Sequence, residues 1–128
     1  YVLGTTLTPI KGLRLQGIFK MYDKNYADWS PGAREYDGDD ANADRAQVWQ
    51  APGYNRLDLH GSYKLPKIGG YDVTLTGHVF NALDALYVQD AVDNSPYNGF
   101  GDKLHLPHNA EVFLGTPRYA NIGLVVNF

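Results

Sequence analysis

Apolar and polar residues alternate along five stretches of this chain. The stretches are residues 1–8, 13–26, 54–65, 71–81 and 118–128. In the last of them, the apolar parity holds Ala120, Ile122, Leu124, Val126 and Phe128. A period of two residues with β-branched residues at the centre is typical of a β-strand. The pattern therefore predicts five strands, each with one apolar and one polar face.

The segments between these strands are alternately short and long. Residues 9–12 and 66–70 each contain a proline followed closely by glycine, which predicts tight turns. Residues 29–52 and 88–117 have no sustained period and contain several turn dipeptides, which predicts two long loops. Loops of this length are uncommon in compact soluble domains and are usually functional where they occur.

Composition narrows the possible classes of protein. The chain has 128 residues, a net charge of -3, ten Tyr, fourteen Gly and no Cys. The absence of cysteine excludes a disulfide scaffold and a thiolate zinc site, and the weak charge argues against a strongly nucleic-acid-binding surface. Because the chain starts at Tyr1, we expect a processed product or part of a longer protein.

An antiparallel transmembrane β-barrel accounts for the strand and loop pattern. Such barrels have short periplasmic turns and long extracellular loops, and their last strand can face lipid while it pairs with the first. In a soluble domain, the edge of a terminal apolar strand invites pairing with other chains. With a periplasmic C-terminus, turns 9–12 and 66–70 are periplasmic, and loops 29–52 and 88–117 are extracellular. The smallest barrels have about eight strands, so five strands would form one sector of a larger barrel.

Several segments resemble motifs of bacterial outer-membrane proteins. Residues 121–128 are similar to the C-terminal assembly signal of outer-membrane barrels, whose pattern is matched by Asn121, Gly123, Val126 and Phe128. Segment 52–65 resembles a late barrel strand of TonB-dependent receptors. Segment 79–88, which contains Asn81, Leu83, Asp84 and Tyr87, is similar to another segment of that family, and segment 115–119 is similar to its "G-x-P-R-x". The resemblance extends over residues 52–128.

The resemblance implies a receptor that imports its ligand actively across the outer membrane of a Gram-negative bacterium. Residues 1–128 would be the C-terminal part, about the last five strands, of a single barrel domain of about 22 strands. Ligands of the family include ferric siderophores, haem, cobalamin, and oligosaccharide or peptide nutrients.

The same resemblance implies the partners of the protein. They are the TonB complex, reached through an N-terminal region outside this chain, the outer-membrane insertion machinery, the lipid and, in some branches, a surface lipoprotein. We expect no cofactor, and the weak net charge gives no reason to expect a nucleic-acid partner. We also expect no enzymatic activity, because the sequence has no Cys nucleophile and no Gly-x-Ser-x-Gly motif.

Aromatic residues in the two predicted loops are candidates for ligand binding. They are Trp29, Tyr36, Trp49, Tyr97 and Phe100. Exposed aromatic faces suit stacking on sugars or on the apolar parts of a chelator. The same residues could equally pack the loops together or form the outer aromatic girdle of a barrel.

The acidic stretch at residues 37–44 is a weak candidate for Ca²⁺ binding. Its carboxylates are Asp37, Asp39, Asp40 and Asp44. Oxygen ligands suit Ca²⁺, but the spacing of a helix-loop-helix calcium site and its trailing Glu are missing. We therefore favour a solvated acidic loop and assign no metal site.

The four histidines are not predicted to form a metal site either. His105 and His108 lack a third ligand, and Pro107 between them argues against a helix that would align them. His60 and His78 fall on polar strand faces. We expect them to join a structural network with the charged residues of those faces, namely Arg56, Asp58, Lys64 and Asp72.

A soluble β-sandwich that binds carbohydrate is the alternative from a different class. The spacing of the strands and the aromatic residues of the loops would permit it.

Overall fold

The computed structural model describes residues 1–31, 46–94 and 105–128, and these form an all-β protein with antiparallel sheets. The strands are β1 (Val2–Leu7), β2 (Leu13–Tyr22), β3 (Asn25–Tyr26), β4 (Gln50–Ala51), β5 (Tyr54–Lys64), β6 (Asp72–Phe80), β7 (Val88–Asp93), β8 (Ala110–Leu114) and β9 (Tyr119–Asn127). A short 3-10 helix spans Pro107–Asn109. The predicted all-β class is confirmed.

The described chain divides into two compact units. The first unit comprises Tyr1–Tyr22, Tyr54–Ala85 and Thr116–Phe128, and the second comprises Asp23–Gly53 and Leu86–Gly115. The first unit holds a five-stranded sheet in the order β1-β2-β5-β6-β9, with every neighbouring pair antiparallel. These strands correspond to the five stretches predicted from the alternation.

One predicted strand is shorter than expected. The alternation predicted a strand from residue 13 to about residue 26, but β2 ends at Tyr22. The break coincides with Lys24, whose φ of 56° lies in the left-handed region, and with the carboxylate of Asp23, which accepts a hydrogen bond from the Lys24 N–H at 2.9 Å. Asp tolerates such local turns because its side chain can bond to the nearby backbone.

The register of the sheet aligns the apolar residues of all five strands on one face. Directly opposed residues point to the same side of a sheet. Tyr63 of β5 lies opposite Leu13 and Leu75, and Leu75 lies opposite Leu124 of β9. On the same face, Leu7 of β1 lies opposite Leu15 of β2. This apolar face is largely exposed: Leu75 is 40% exposed and Ile122 is 82% exposed. The other face carries the polar residues, so the two sides of the sheet differ sharply in chemistry.

Both predicted tight turns are present. Leu13 N–H donates to Ile10 C=O at 3.1 Å and closes the turn between β1 and β2. Between β5 and β6, Ile68 and Tyr71 exchange two backbone hydrogen bonds around Gly69 and Gly70. These two glycines have φ values of 60° and 90°, as a two-residue hairpin turn with two left-handed positions requires.

The second unit contains strands where the sequence predicted only loops. Strand β4 lies within 29–52, and β7 pairs with β8 within 88–117. These strands are short, and β7 has a register shift between Val88 and Asp90, so no long alternation marks them in the sequence. Among the residues of this unit that the structure describes, the buried apolar ones are Ala27, Val48, Ala51, Tyr87 and Ala91.

Candidate functional site

The polar face of the five-stranded sheet carries the main concentration of chemically active side chains in the described residues. One straight row of opposed residues crosses all five strands. It consists of Thr6, Gln16, His60, His78 and Asn121. An ionic network lies on one side of this row, and aromatic pairs lie at the end of the sheet from which the long connections leave.

Asp58 is the centre of the ionic network. Its side chain is almost fully buried, and its Oδ2 accepts hydrogen bonds from Lys20 Nζ at 3.0 Å and from the Arg56 guanidinium at 3.1 Å. Its Oδ1 accepts a bond from the backbone N–H of Asn81 at 3.0 Å. Burial of a carboxylate is costly unless it is paired and hydrogen-bonded, and both conditions hold here. Asp58 therefore ties β2, β5 and the end of β6 together.

Asp72 pairs separately with Lys64 at 3.2 Å, at the opposite end of β6. Both side chains are substantially exposed. The charged residues expected to form one network with the histidines thus form two: one buried around Asp58 and one exposed at Asp72. Lys20, a partner of Asp58, was not among the residues predicted for this network.

His60 and His78 face each other directly across β5 and β6. The two Nδ1 atoms are 2.8 Å apart, and Phe80 packs against both rings, at centroid distances of 5.4 Å and 6.1 Å. Both histidines line an open cavity of about 410 Å³ that also includes Arg14 and Gln16. The histidines contact each other rather than joining the expected network with Arg56 and Asp58.

Two stacked aromatic pairs occupy the end of the polar face from which connections 23–53 and 81–118 leave. Tyr22 stacks on Tyr54 with ring centroids 4.6 Å apart, and Phe80 stacks on Tyr119 at 4.7 Å. Near-parallel rings at this distance contribute about 0.5–1.5 kcal/mol beyond the area that they bury. These pairs therefore brace the strand ends beside the ionic network.

Two of the segments that carry the sequence resemblance contact each other within the first unit. The Asn81 amide donates to Ala85 C=O at 3.0 Å and to Thr116 C=O at 3.1 Å, and it accepts from Ala85 N–H at 3.0 Å. Asp84 accepts the backbone N–H of Arg118 at 3.1 Å and lies 3.5 Å from its guanidinium. The polar residues of segment 79–88 thus hold the chain that leads into β9.

The next residues of the same two segments also meet, within the second unit. Gly115 N–H donates to Tyr87 C=O at 2.9 Å. The ring of Tyr87, which is buried, occupies the space that a Cβ at position 115 would fill. Only glycine fits at this position without displacement of the ring.

The residues of the C-terminal pattern lie on and beyond β9. Asn121 and Gly123 fall on the polar face, opposite His78 and Thr76, whereas Val126 falls on the apolar face opposite Val73. Phe128 is fully exposed, and its ring meets the edge of Tyr71 at a centroid distance of 6.1 Å. In the described chain, the edge of β9 that faces away from β6 is unpaired.

The predicted loop residues are only partly within the described chain. Trp29 is 45% exposed, Trp49 is half-buried, and both belong to the second unit, where the Trp49 C=O accepts a bond from Ala27 N–H at 2.9 Å. The remaining loop candidates lie outside the described residues. They are Tyr36, Tyr97, Phe100 and the acidic residues Asp37, Asp39, Asp40 and Asp44.

His105 and His108 differ in their surroundings. His105 is buried and hydrogen-bonded to the buried carboxylate of Asp93, whereas His108 is exposed in the 3-10 helix. Within residues 1–31, 46–94 and 105–128, no group of three or more His, Cys, Asp or Glu side chains is arranged to hold a metal ion.

Comparison of the chain with protein-family models, curated proteins and solved structures found no match. No helix in the described residues is long and apolar enough to cross a membrane.

Proposed function

We propose that this chain is the C-terminal sector of a TonB-dependent outer-membrane receptor, which imports a ligand such as a ferric chelate, haem, cobalamin or a nutrient oligosaccharide or peptide. The observation that carries the proposal is the asymmetry of the five-stranded sheet. One face presents apolar side chains across all five strands, and the other holds a buried carboxylate and a row of polar residues. A barrel wall between lipid and a polar interior requires this arrangement.

The contacts between the resemblance segments add support. Asn81 and Asp84 hold Thr116 and Arg118 in one unit, and Tyr87 covers Gly115 in the other. The residues that carry the resemblance, among them Asn81, Asp84 and Arg118, are thus themselves the ones that make these contacts. In this proposal, the contacts position β9 for insertion and for closure onto a strand outside this chain.

The exposed apolar face argues against the β-sandwich alternative. A sandwich packs a second sheet about 10 Å from the apolar face of the first. Leu124 on this face is 64% exposed in the described chain, and Leu59 is 41% exposed. Lipid contact explains such exposure, because exposed apolar area of this extent is rare in a monomeric soluble protein.

Cell fractionation is the first test. The intact protein that contains this chain should remain with the outer membrane and require detergent for extraction. Recovery in the soluble fraction without detergent would refute the proposal.

A matched pair of lysine substitutions gives a sharper test. Leu124 and Val125 are neighbours on β9, and they point to the apolar and the polar face respectively. In a membrane barrel, Leu124→Lys should destabilise the folded protein by about 2–4 kcal/mol if the site is near the bilayer centre, whereas Val125→Lys should be tolerated. The readout is the amount of folded protein in the outer membrane. Equal levels for the two variants would contradict a lipid-facing surface.

A further inference from the structure

The structure assigns a second role to the polar face: we propose that His60 and His78 form a binding site for a divalent transition-metal ion of the Cu²⁺ or Ni²⁺ type. The two imidazoles are direct cross-strand partners, and their Nδ1 atoms lie 2.8 Å apart. The proposal does not depend on the transport function, because it rests on side chains that the five-stranded sheet itself brings together.

The distance between the nitrogens favours this class of ion. Imidazole nitrogens bind these metals at about 2.0 Å, so two ligands at a right angle are about 2.8 Å apart and two at a tetrahedral angle about 3.3 Å. The observed separation matches the right angle. Right-angled nitrogen and oxygen ligands are typical of Cu²⁺ and Ni²⁺, whereas Zn²⁺ prefers the tetrahedral arrangement.

The surroundings hold the two rings in place. Phe80 stacks near-parallel to His78 at an interplanar angle of 27° and meets His60 edge-on at 71°. Both histidines are on regular strands, which position side chains more rigidly than loops do. A metal site gains affinity when its ligands are ordered before the ion arrives.

Other ligands are available in the same cavity. Gln16 lies directly opposite His60 on β2 and lines the cavity of about 410 Å³ that both histidines face. Its Nε2 donates to Thr6 at 3.4 Å, so its carbonyl oxygen is the amide atom left to bind a cation. The cavity is open, and water can take the remaining positions of a tetragonal ion.

Among the residues that the structure describes, Arg14 is the one permanently charged cation that lines this cavity. Its guanidinium repels a dication, which predicts that Arg14→Gln strengthens metal binding. If the cavity instead binds an anion through Arg14 and the histidines, the same substitution should weaken ligand binding. The substitution thus gives opposite results for the two kinds of ligand.

The test is a titration of the intact folded protein with Cu²⁺, followed by electron paramagnetic resonance. We expect one saturable copper site per chain, with hyperfine coupling to two nitrogens. His60→Gln or His78→Gln should remove one nitrogen coupling and weaken binding at least about tenfold. His108→Ala is the matched control, since that histidine is exposed and lies in the other unit, and it should leave the site unchanged.

Three outcomes would overturn the proposal. The first is a wild-type spectrum without two-nitrogen coupling, a result that needs no variant to fold. The second is unchanged copper affinity in the double variant His60→Gln/His78→Gln. The third is weaker copper binding in Arg14→Gln. The histidine contact would then be a single N–H···N hydrogen bond that only braces the sheet.

Discussion

Replacement of Asp58 by alanine should destabilise the protein far more than replacement of Asp72. Both are aspartates on the polar face of the same sheet, and each pairs with basic side chains. They differ in burial: the side chain of Asp58 is 4% exposed and that of Asp72 is 36% exposed. The pair therefore isolates the effect of burial on an ionic contact.

The expected magnitude follows from the contacts that each substitution removes. Asp58→Ala leaves the backbone N–H of buried Asn81 without its acceptor, which costs about 1–3 kcal/mol. It also removes the carboxylate that Lys20 and Arg56 share. Because the side chains of Lys20 and Arg56 are about a quarter exposed, water replaces part of the lost interaction. We expect a total of about 3 kcal/mol for Asp58→Ala, in the lower part of the range for a broken buried pair. Asp72→Ala should cost at most about 1 kcal/mol.

Equilibrium unfolding of the intact protein by guanidinium, followed by the circular dichroism of its β-sheets, measures the difference. Asp58→Asn should fall between the two alanine variants, because its remaining oxygen can still accept the Asn81 N–H. A loss of stability for Asp58→Ala no larger than for Asp72→Ala would refute the reasoning, since it would mean that the buried contacts contribute nothing beyond an exposed ion pair.

Two further substitutions and one deletion test the segment contacts and the end of the chain. Gly115→Ala should destabilise the second unit by about 1–3 kcal/mol in the same unfolding assay, because the added methyl group meets the Tyr87 ring. Gly77→Ala is the control: the Cβ position of Gly77 is open space, and stability should change by less than about 1 kcal/mol. Asn81→Ala should lower the free energy of unfolding by about 2–4 kcal/mol, because three side-chain hydrogen bonds are lost and alanine rarely adopts the φ of 49° found at this position. Asn55→Ala, at an exposed position, is the control. Deletion of Phe128 should lower the amount of assembled protein in the outer membrane without a change in synthesis, and normal surface levels would count against the assembly signal.

The alternation of apolar and polar residues was sufficient to predict the five-stranded sheet and its two faces. It could not predict the register between β5 and β6. The two-residue turn at Gly69 and Gly70 pairs Ile68 with Tyr71. If that register continued along β5 and β6, the apolar residues of one strand would lie opposite the polar residues of the other. The structure has a shift of one residue beside Pro66, so that Tyr63 meets Leu75. Burial of matched faces decides the register, and Pro66, which has no N–H, cannot continue the ladder.

The chemistry of the polar face depended on this register and was therefore harder to predict. The one-residue shift places His60 opposite His78, a contact that no local pattern encodes. The partnership of Lys20 with Asp58 required in addition the pairing of β2 with β5 across 31 intervening residues. Strand β7 was predicted as loop because its register shift between Val88 and Asp90 interrupts the alternation, and β8 because five residues are too few for a period to stand out.

The order of the strands in the main sheet has a consequence for how the chain folds. The pair β1 and β2 is joined by five residues and the pair β5 and β6 by seven, whereas β2–β5 and β6–β9 are joined by 31 and 38. Closure of the long connections costs about 1.5 kcal/mol more in chain entropy than closure of the short ones. The two hairpins should therefore form first, within microseconds, and the pairing of β6 with β9 should be late. The pairing of β7 with β8 lies within the long connection and brings Val88 opposite Leu114, which shortens the loop that this last step must close.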